Sequence, residues 1–467
     1  MPLSRPPAPE AAGAAAPTGT LVTIPVHRTI PGLARDPLRA FEQIGRECAG
    51  ALARLDLGLT RPYLVTHPDH VRHVLLNPRT YRREGMIWKP LRRLEGDGIA
   101  AEGPSWQTSR HILQPLFTAR NLTSRQAAMA SAVTAALDLL AARGRDARPL
   151  DLTDAMTGIV HRVLIRSFFG DRISIAEAER LGAAITTAFL SLGWRMLLPF
   201  AGDSVPLPGD RAFRRAVRTV DDLIYPRIRA CRAGARGSTA DGGGGTDLVT
   251  LLARTRDERG EPLDDKRVRD DVVAMFIAGT ETTALALTWL WLLIDAHPAA
   301  AERLTTEIDA VVGDGVPDPA HLPRLTYTRM VLQEALRLYP VGWVVPRTVG
   351  HRDVLDGVGL RRGATVLLSP YLTHRLAEFW DRPDEFRPER FAPDQRQRRH
   401  RFAYHPFGAG VHQCLGSHFF LIEAQLIVAG LLRRFRPEVV APQSLRARAT
   451  VTLRPRDRAR IVLRPRR

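Results

Sequence analysis

Apolar residues recur three and four positions apart through GPSWQTSRHILQPLF and LTSRQAAMASAVTAALDLLAARG, which predicts helix from residue 103 to a stop at Gly144. The same period returns over 151–168 and 174–192. Prolines and glycines in SLGWRMLLPFAGDSVPLPGD then break it, leaving large apolar residues at what is either a packed corner or a mobile cover. Helix resumes in RAFRRAVRTVDDLIYPRIRACRAGARG, and GSTADGGGGT at 237–246 reads as a flexible surface connection. Residues 264–296 predict one helix of roughly 50 Å at 1.5 Å per residue. PAAAERLTTEIDAVV and TYTRMVLQEALRLYP predict two more, the first with proline near its first turn and the second ended by Pro340.

Beyond residue 341 the pattern changes. GWVVPRTV, RDVLDGVGL and GATVLLSPY read as short strands joined by DG and RRG turns. Helix returns over 415–434, and ATVTLRP and RIVLRP suggest a closing β ribbon. At the other end, residues 21–80 mix β-type RPYLVTH with helical HPDHVRHVLLN. The fold class is mainly α with a small β region, as a single large domain over 21–463. A flexible Ala/Pro-rich leader is expected at 1–20 and a basic tail at 464–467, with RFRPEVV read as a solvated basic stretch.

At 467 residues with 45% hydrophobic and 25% charged positions, the chain has the balance of a soluble globular protein. Its net charge of +18 would attract acidic partners, nucleic acid or an anionic membrane. The arginines are spread along the whole chain, however, and no basic stripe interleaved with aromatics is present, so no nucleic-acid partner is expected. Cys48, Cys231 and Cys414 lie too far apart for a disulfide framework or a CxxC metal knuckle, which points to a reducing, cytoplasmic setting. One span, residues 272–294, could pass for a membrane helix. Glu281 at its centre would be costly in lipid, so it reads as a buried helix and no transmembrane anchor is expected.

Candidate chemistry begins at FAYHPFGAGVHQCLG, residues 402–416. A cysteine serves as a metal ligand when it is a thiolate, and turn N–H groups with a following helix N-terminus favour that form. Gly408, Gly410 and Gly416 permit tight turns and close approach to a flat cofactor, Phe407 can cover the sulfur, and His412 can reach a cofactor carboxylate. A single cysteine argues against structural zinc or an iron–sulfur cluster. The second cluster is AGTETT, 278–283, in the middle of the long helix. Glycine and threonine are poor mid-helix residues. Either the threonines bond back to carbonyls, or Gly279 opens room while Glu281 and Thr282 organise water for proton delivery. The third is EALR, with Glu334 and Arg337 one turn apart, a spacing that on its own is usually a surface pair.

Phe407, Gly410, Cys414 and Gly416 meet the pattern F-x-x-G-x-x-x-C-x-G, and over about residues 30–460 the chain resembles the cytochrome P-450 superfamily of heme-thiolate monooxygenases, in its soluble bacterial form. The resemblance implies the P-450 fold, with the long central helix running through the heme site. It implies heme b (iron protoporphyrin IX), with Cys414 as the iron ligand and His412, Trp106, Arg110 and Arg347 toward the propionates. Ala278, Gly279, Phe407, Gly408 and Gly416 would line the heme, and His111 is either another contact or a surface residue. Thr282 and Glu281 would be the catalytic proton-delivery pair, while Glu334, Arg337 and Arg390 of PERF would form a buried structural network. Met86, Ile87, Trp88, Phe276, Ala278, Val344, Val345 and the 185–200 segment would shape a pocket for a hydrophobic substrate. The implied reaction inserts one atom of O2, with electrons from a ferredoxin and its NAD(P)H-dependent reductase, in a monomer. The likeness to actinobacterial members favours a terpenoid, in the form of a sesquiterpene-like hydrocarbon, over fatty acyl, polyketide or alkaloid substrates. A non-enzymatic heme redox sensor is the rival class.

Overall fold

The Asp264 carboxylate accepts the amide of Arg267 at 2.7 Å and starts a helix that runs from Asp265 to Ala296. In the computed structural model, which describes residues 21–85, 88–143, 148–170, 173–198, 201–202, 204–235, 247–257, 260–396, 399–440 and 445–466, this central helix is the axis of the molecule. Its residues are buried almost continuously from Val268 to Ile294, so it is apolar around most of its girth. At Gly279 a Cβ would lie 3.0 Å from the Leu164 side chain of the Leu152–Phe169 helix. The Ser417–Arg434 helix is similarly apolar, and both it, with its lead-in from Gly410, and the central helix are long and apolar enough to cross a membrane. Only the central helix stands out in the sequence. Most of each is covered by protein.

The described strands fall into one six-stranded, one three-stranded and two two-stranded sheets. Six short strands run in the order Val22–Ile24, Ala53–Leu55, Tyr63–Val65, Thr365–Leu368, Val345–Val349 and Tyr81–Arg82. The expected closing ribbon is not formed as read. RIVLRP pairs instead with FRPEVV, in the register Phe435↔Pro465 to Val440↔Arg460, and with Leu150–Asp151. Alternating burial along FRPEVV, with Phe435 inward, makes that segment a strand rather than a solvated stretch. ATVTLRP contributes to a separate hairpin in which Ala447–Ala449 pairs with Leu453–Pro455. The domain also runs past 463, since Arg466 donates to Asp309 Oδ2 at 2.7 Å. Gly144, the 237–246 connection and the leader lie outside the described residues.

Two ion clusters brace this framework. The interruption after residue 191 is a packed corner, where buried Arg195 binds Asp210 at 2.6 Å and also donates to the carbonyls of Ala201, Gly202 and Val205. The second cluster is the Glu–Arg pair of the Thr326–Leu338 helix. Arg337 donates to both Glu334 oxygens at 2.7 and 2.8 Å, Arg390 approaches at 3.3 Å, and the Arg387 amide adds a bond of 2.8 Å. The remaining Arg337 donors go to the carbonyls of His374, Pro383 and Glu385. Glu334 and Arg337 are wholly buried, so this satisfaction of every partner is what makes their burial tolerable.

Candidate active site

The glycine-rich loop is shaped first by its neighbours. Gly410 has φ 70°, and a Cβ there would come within 2.3 Å of the Leu75 carbonyl at the end of the Pro68–Leu76 helix. That close approach is to protein backbone and not, as the sequence suggests, to a cofactor. Gly408, also at positive φ, and Gly416 do face the interior, beside Phe407. The Cys414 amide donates to the Phe407 carbonyl at 2.9 Å, which sets the turn that presents the sulfur.

Cys414 opens into an internal cavity of about 440 Å³. The thiol is exposed by area, but that area faces the cavity, and protein surrounds it otherwise. Burial raises its pKa above the ordinary value, against an opposing hydrogen bond from the Gly416 amide and the charge of Arg110. A cation seated against the sulfur would relieve that penalty. Phe407 lines the cavity beside Cys414 and packs at a tilt on Phe420, 5.6 Å between ring centroids.

The same cavity is rimmed by Arg83, Arg110, Arg347 and His412. Arg110 bonds the Gln413 carbonyl at 2.6 Å, tying the Pro104–Leu113 helix to the cysteine loop. Trp106 lies on the His412 ring at 4.1 Å between centroids. Buried Arg347 bonds its neighbour's carbonyl at Pro346, and burial pushes its guanidinium down to about 10. Arg83, which carried no motif in the sequence, donates to the Ala101 carbonyl at 2.7 Å, while its Nε makes no hydrogen bond and lies 3.8 Å from Glu102 Oε2; it too is pushed down by burial to about 10. His412 Nε2 lies 3.3 Å from Glu102 Oε1, but the direction is too oblique for a hydrogen bond, so both ring nitrogens remain unsatisfied. Burial would raise the Glu102 carboxyl, yet contact with His412 and the Arg83 amide and charge hold it down at about 2.

Arg83, Arg347 and His412 therefore share the Glu102 carboxylate, while Arg83 Nε and both His412 ring nitrogens keep no hydrogen-bond partner. That surplus fits a flat group carrying two carboxylates, with its metal toward the Cys414 sulfur. These residues fit a heme.

Facing the loop, Ala278, Gly279 and Thr282 of the central helix line the cavity, with Met275 on the same face. Positions 275, 278, 279 and 282 follow the helical repeat, and Phe276 falls off that face. Phe276 is instead fully buried between His161 and Phe168, at 5.1 and 6.4 Å between ring centroids, so it is not a pocket residue. Val345 and Trp88 line the cavity. Val344 turns away into the cluster around Leu38, Phe41 and Leu372, because successive residues of an extended segment face opposite sides. No described residue of 185–200 reaches the cavity, and His111 is exposed elsewhere. Met86 and Ile87 lie outside the described residues.

The acid–alcohol pair is divided. Thr282 Oγ1 donates to the Ala278 carbonyl within its own helix. Glu281, one residue away, does not line the cavity and accepts from Thr452 Oγ1 and Arg454 Nη2, each at 2.7 Å, on the Ala447–Pro455 hairpin. A 100° step per residue puts Thr282 toward the cavity and Glu281 toward the hairpin.

A family model described as Cytochrome P450 matches residues 19–459. The chain belongs to the cytochrome P450 family. It is 34% identical over 423 residues to cyclooctat-9-en-7-ol 5-monooxygenase and 32% identical over 427 residues to cyclooctatin synthase, both of Streptomyces melanosporofaciens, with 90% of this chain covered in each case and 89% and 90% of those chains. It is 30% identical over 420 residues to pentalenene oxygenase of Streptomyces avermitilis, covering 90% of this chain and 91% of that one. Among solved structures, the cytochrome P450DA heme domain superposes with a TM-score of 0.85 at 27% identity, covering 96% of this chain and 98% of that domain. The chain is a P450 monooxygenase, a hydroxylating oxidoreductase of the cysteine-ligated heme class.

Proposed function

We propose that this P450 hydroxylates a terpenoid, using heme b held through Cys414, with electrons from a ferredoxin and its NAD(P)H-dependent reductase. The observation that carries the reading is the cavity itself: from Cys414 to Met275, Leu164, Phe168 and Val345 its walls are chiefly apolar, so a hydrocarbon skeleton is held by shape. The relatives add weight, since cyclooctat-9-en-7-ol 5-monooxygenase and pentalenene oxygenase are named for terpenoid substrates. Cytoplasmic location and a monomeric state belong to the same proposal.

The heme, when bound, supplies oxygen activation and insertion of one oxygen atom into a carbon–hydrogen bond. The protein's part is distributed over the residues described. Cys414 holds the iron, with the Gly416 amide stabilising negative charge on sulfur. Arg83, Arg110, Arg347 and His412 hold the two propionates, and Trp106 keeps the His412 ring in place. Thr282 Oγ1 holds a proton at the cavity wall and can exchange its Ala278 bond for one toward the bound reactants. Glu281 and Arg454 form the outer part of the proton path, reached from the hairpin. The net charge of +18 favours an acidic electron donor.

Turnover of a terpenoid panel under isotopically heavy O2, with a reconstituted ferredoxin system, tests the function. A product carrying one heavy oxygen atom is expected. Binding of panel members without oxygen incorporation would overturn the hydroxylase assignment.

A further inference from the structure

Among the described residues that line the cavity, Glu95 is the one carboxylate, and no hydrogen bond or ion pair joins its side chain to another described residue. It is the last residue of the Lys89–Glu95 helix, and its position is clamped on both sides by the start of the central helix. Arg269 donates to the Leu94 carbonyl at 2.9 Å; the Asp97 amide donates to Asp270 at 3.1 Å; the Ile99 amide donates to Asp271 at 2.6 Å. Between them Gly96 has φ 65°, and a Cβ there would overlap the Asp270 carboxylate at 2.0 Å. The backbone on either side of Glu95 is therefore fixed, and the carboxyl is presented to the cavity by a rigid support.

An acid placed this way is costly unless something in the cavity uses it. The Glu95 side chain is set in the cavity wall. Burial accordingly pushes its carboxyl up to about 7, with the charge of Arg83 opposing. Near neutrality the group is divided between a form that donates a hydrogen bond and one that only accepts. A hydroxyl satisfies either form, since it both donates and accepts. An ammonium would bring a second charge into a cavity already rimmed by arginines, against a carboxyl that burial keeps partly protonated.

We propose that Glu95 is the polar anchor of the substrate pocket and binds a hydroxyl group, so that the substrate is an alcohol rather than a bare hydrocarbon. This rests on the terpenoid reading above and narrows it to an oxygenated terpenoid. The reaction that supplies the substrate must then be an earlier hydroxylation, or a cyclisation closed by water. The carbon to be oxidised is set by the distance from that hydroxyl to the Thr282 side of the cavity, and the apolar wall positions the rest of the skeleton.

The test compares skeleton-matched pairs with the heme-loaded protein by equilibrium dialysis: borneol and bornane, cedrol and cedrane, phytanol and phytane, with bornylamine as a cationic probe. For at least one pair the alcohol should bind about tenfold more tightly than the hydrocarbon. Glu95→Leu should remove that preference while leaving hydrocarbon binding in place, and Glu95→Gln, whose amide still donates and accepts, should keep most of it. Equal binding of alcohol and hydrocarbon by the wild type, a comparison that needs no variant, overturns the anchor while leaving the terpenoid reading standing. So does a preference that survives in Glu95→Leu. Tightest binding of bornylamine, lost in Glu95→Gln, overturns the hydroxyl in favour of an ammonium. If no member of any pair binds, the terpenoid reading falls and takes the anchor with it.

Discussion

Thr282 Oγ1 sits at the wall of the cavity and is bonded only to the Ala278 carbonyl, so it can lend a proton without breaking the fold. Thr282→Ala should leave substrate affinity near wild type and lower product formed per NAD(P)H consumed by roughly tenfold or more, measured as coupling. Unchanged coupling would remove Thr282 from the proton path. Glu95 carries a pH prediction. Its folded-state pKa, raised from 4.5 to about 7, means the folded protein binds more protons than the unfolded chain between those values. The stability it contributes is therefore full below about 4.5 and lost as pH rises through about 7. Relative to Glu95→Gln, wild-type thermal stability should decline across that window, and parallel curves would contradict the assigned environment. At this scale the sequence was legible where chemistry is local. Cys414 and His412 were marked by a loop whose residues follow one another. Arg83 and Glu95 carry no motif, because each gains its role from a cavity assembled by distant segments.

Elements explain why Phe276 and Glu281 lie off the cavity face of their helix. The long helix was plain from its period, but which of its faces meets the cavity depends on what packs around it. The Leu152–Phe169 helix takes Phe276, and the Ala447–Pro455 hairpin takes Glu281. That hairpin was itself misread, because two strands near in sequence find partners elsewhere: Arg460–Pro465 pairs with Phe435–Val440, a choice made by the core. The Glu-x-x-Arg pair was legible as a pair, while its burial followed from the loop around Arg390. Replacing Glu334 with Ala would leave Arg337 buried and uncompensated and should cost about 3–5 kcal/mol. Chemical denaturation with heme retention as a second readout checks this; a variant of wild-type stability would mean that the network is not what fixes the loop.

For the molecule as a whole, one wall of the cavity is a continuous helix and another is the cysteine loop, with the cationic rim between them supplied by separate segments. The excess of positive charge adds a prediction at this scale. If it steers an acidic ferredoxin, the apparent affinity for that donor should weaken several-fold as ionic strength rises toward 0.5 M, as the Debye length contracts below about 8 Å. Steady-state turnover against ferredoxin concentration measures it, and a salt-independent KM would exclude steering. The fold class and the single large domain were legible throughout, because helical period and turn residues are repeated many times over such a length. All of these roles depend on Cys414 being the iron ligand, and the most direct measurement is the absorption spectrum of the reduced, heme-loaded protein under carbon monoxide. The expected result is the red-shifted Soret band of a thiolate-ligated heme, absent in Cys414→His; a wild-type band at the position given by histidine or a neutral thiol would contradict the assignment of Cys414.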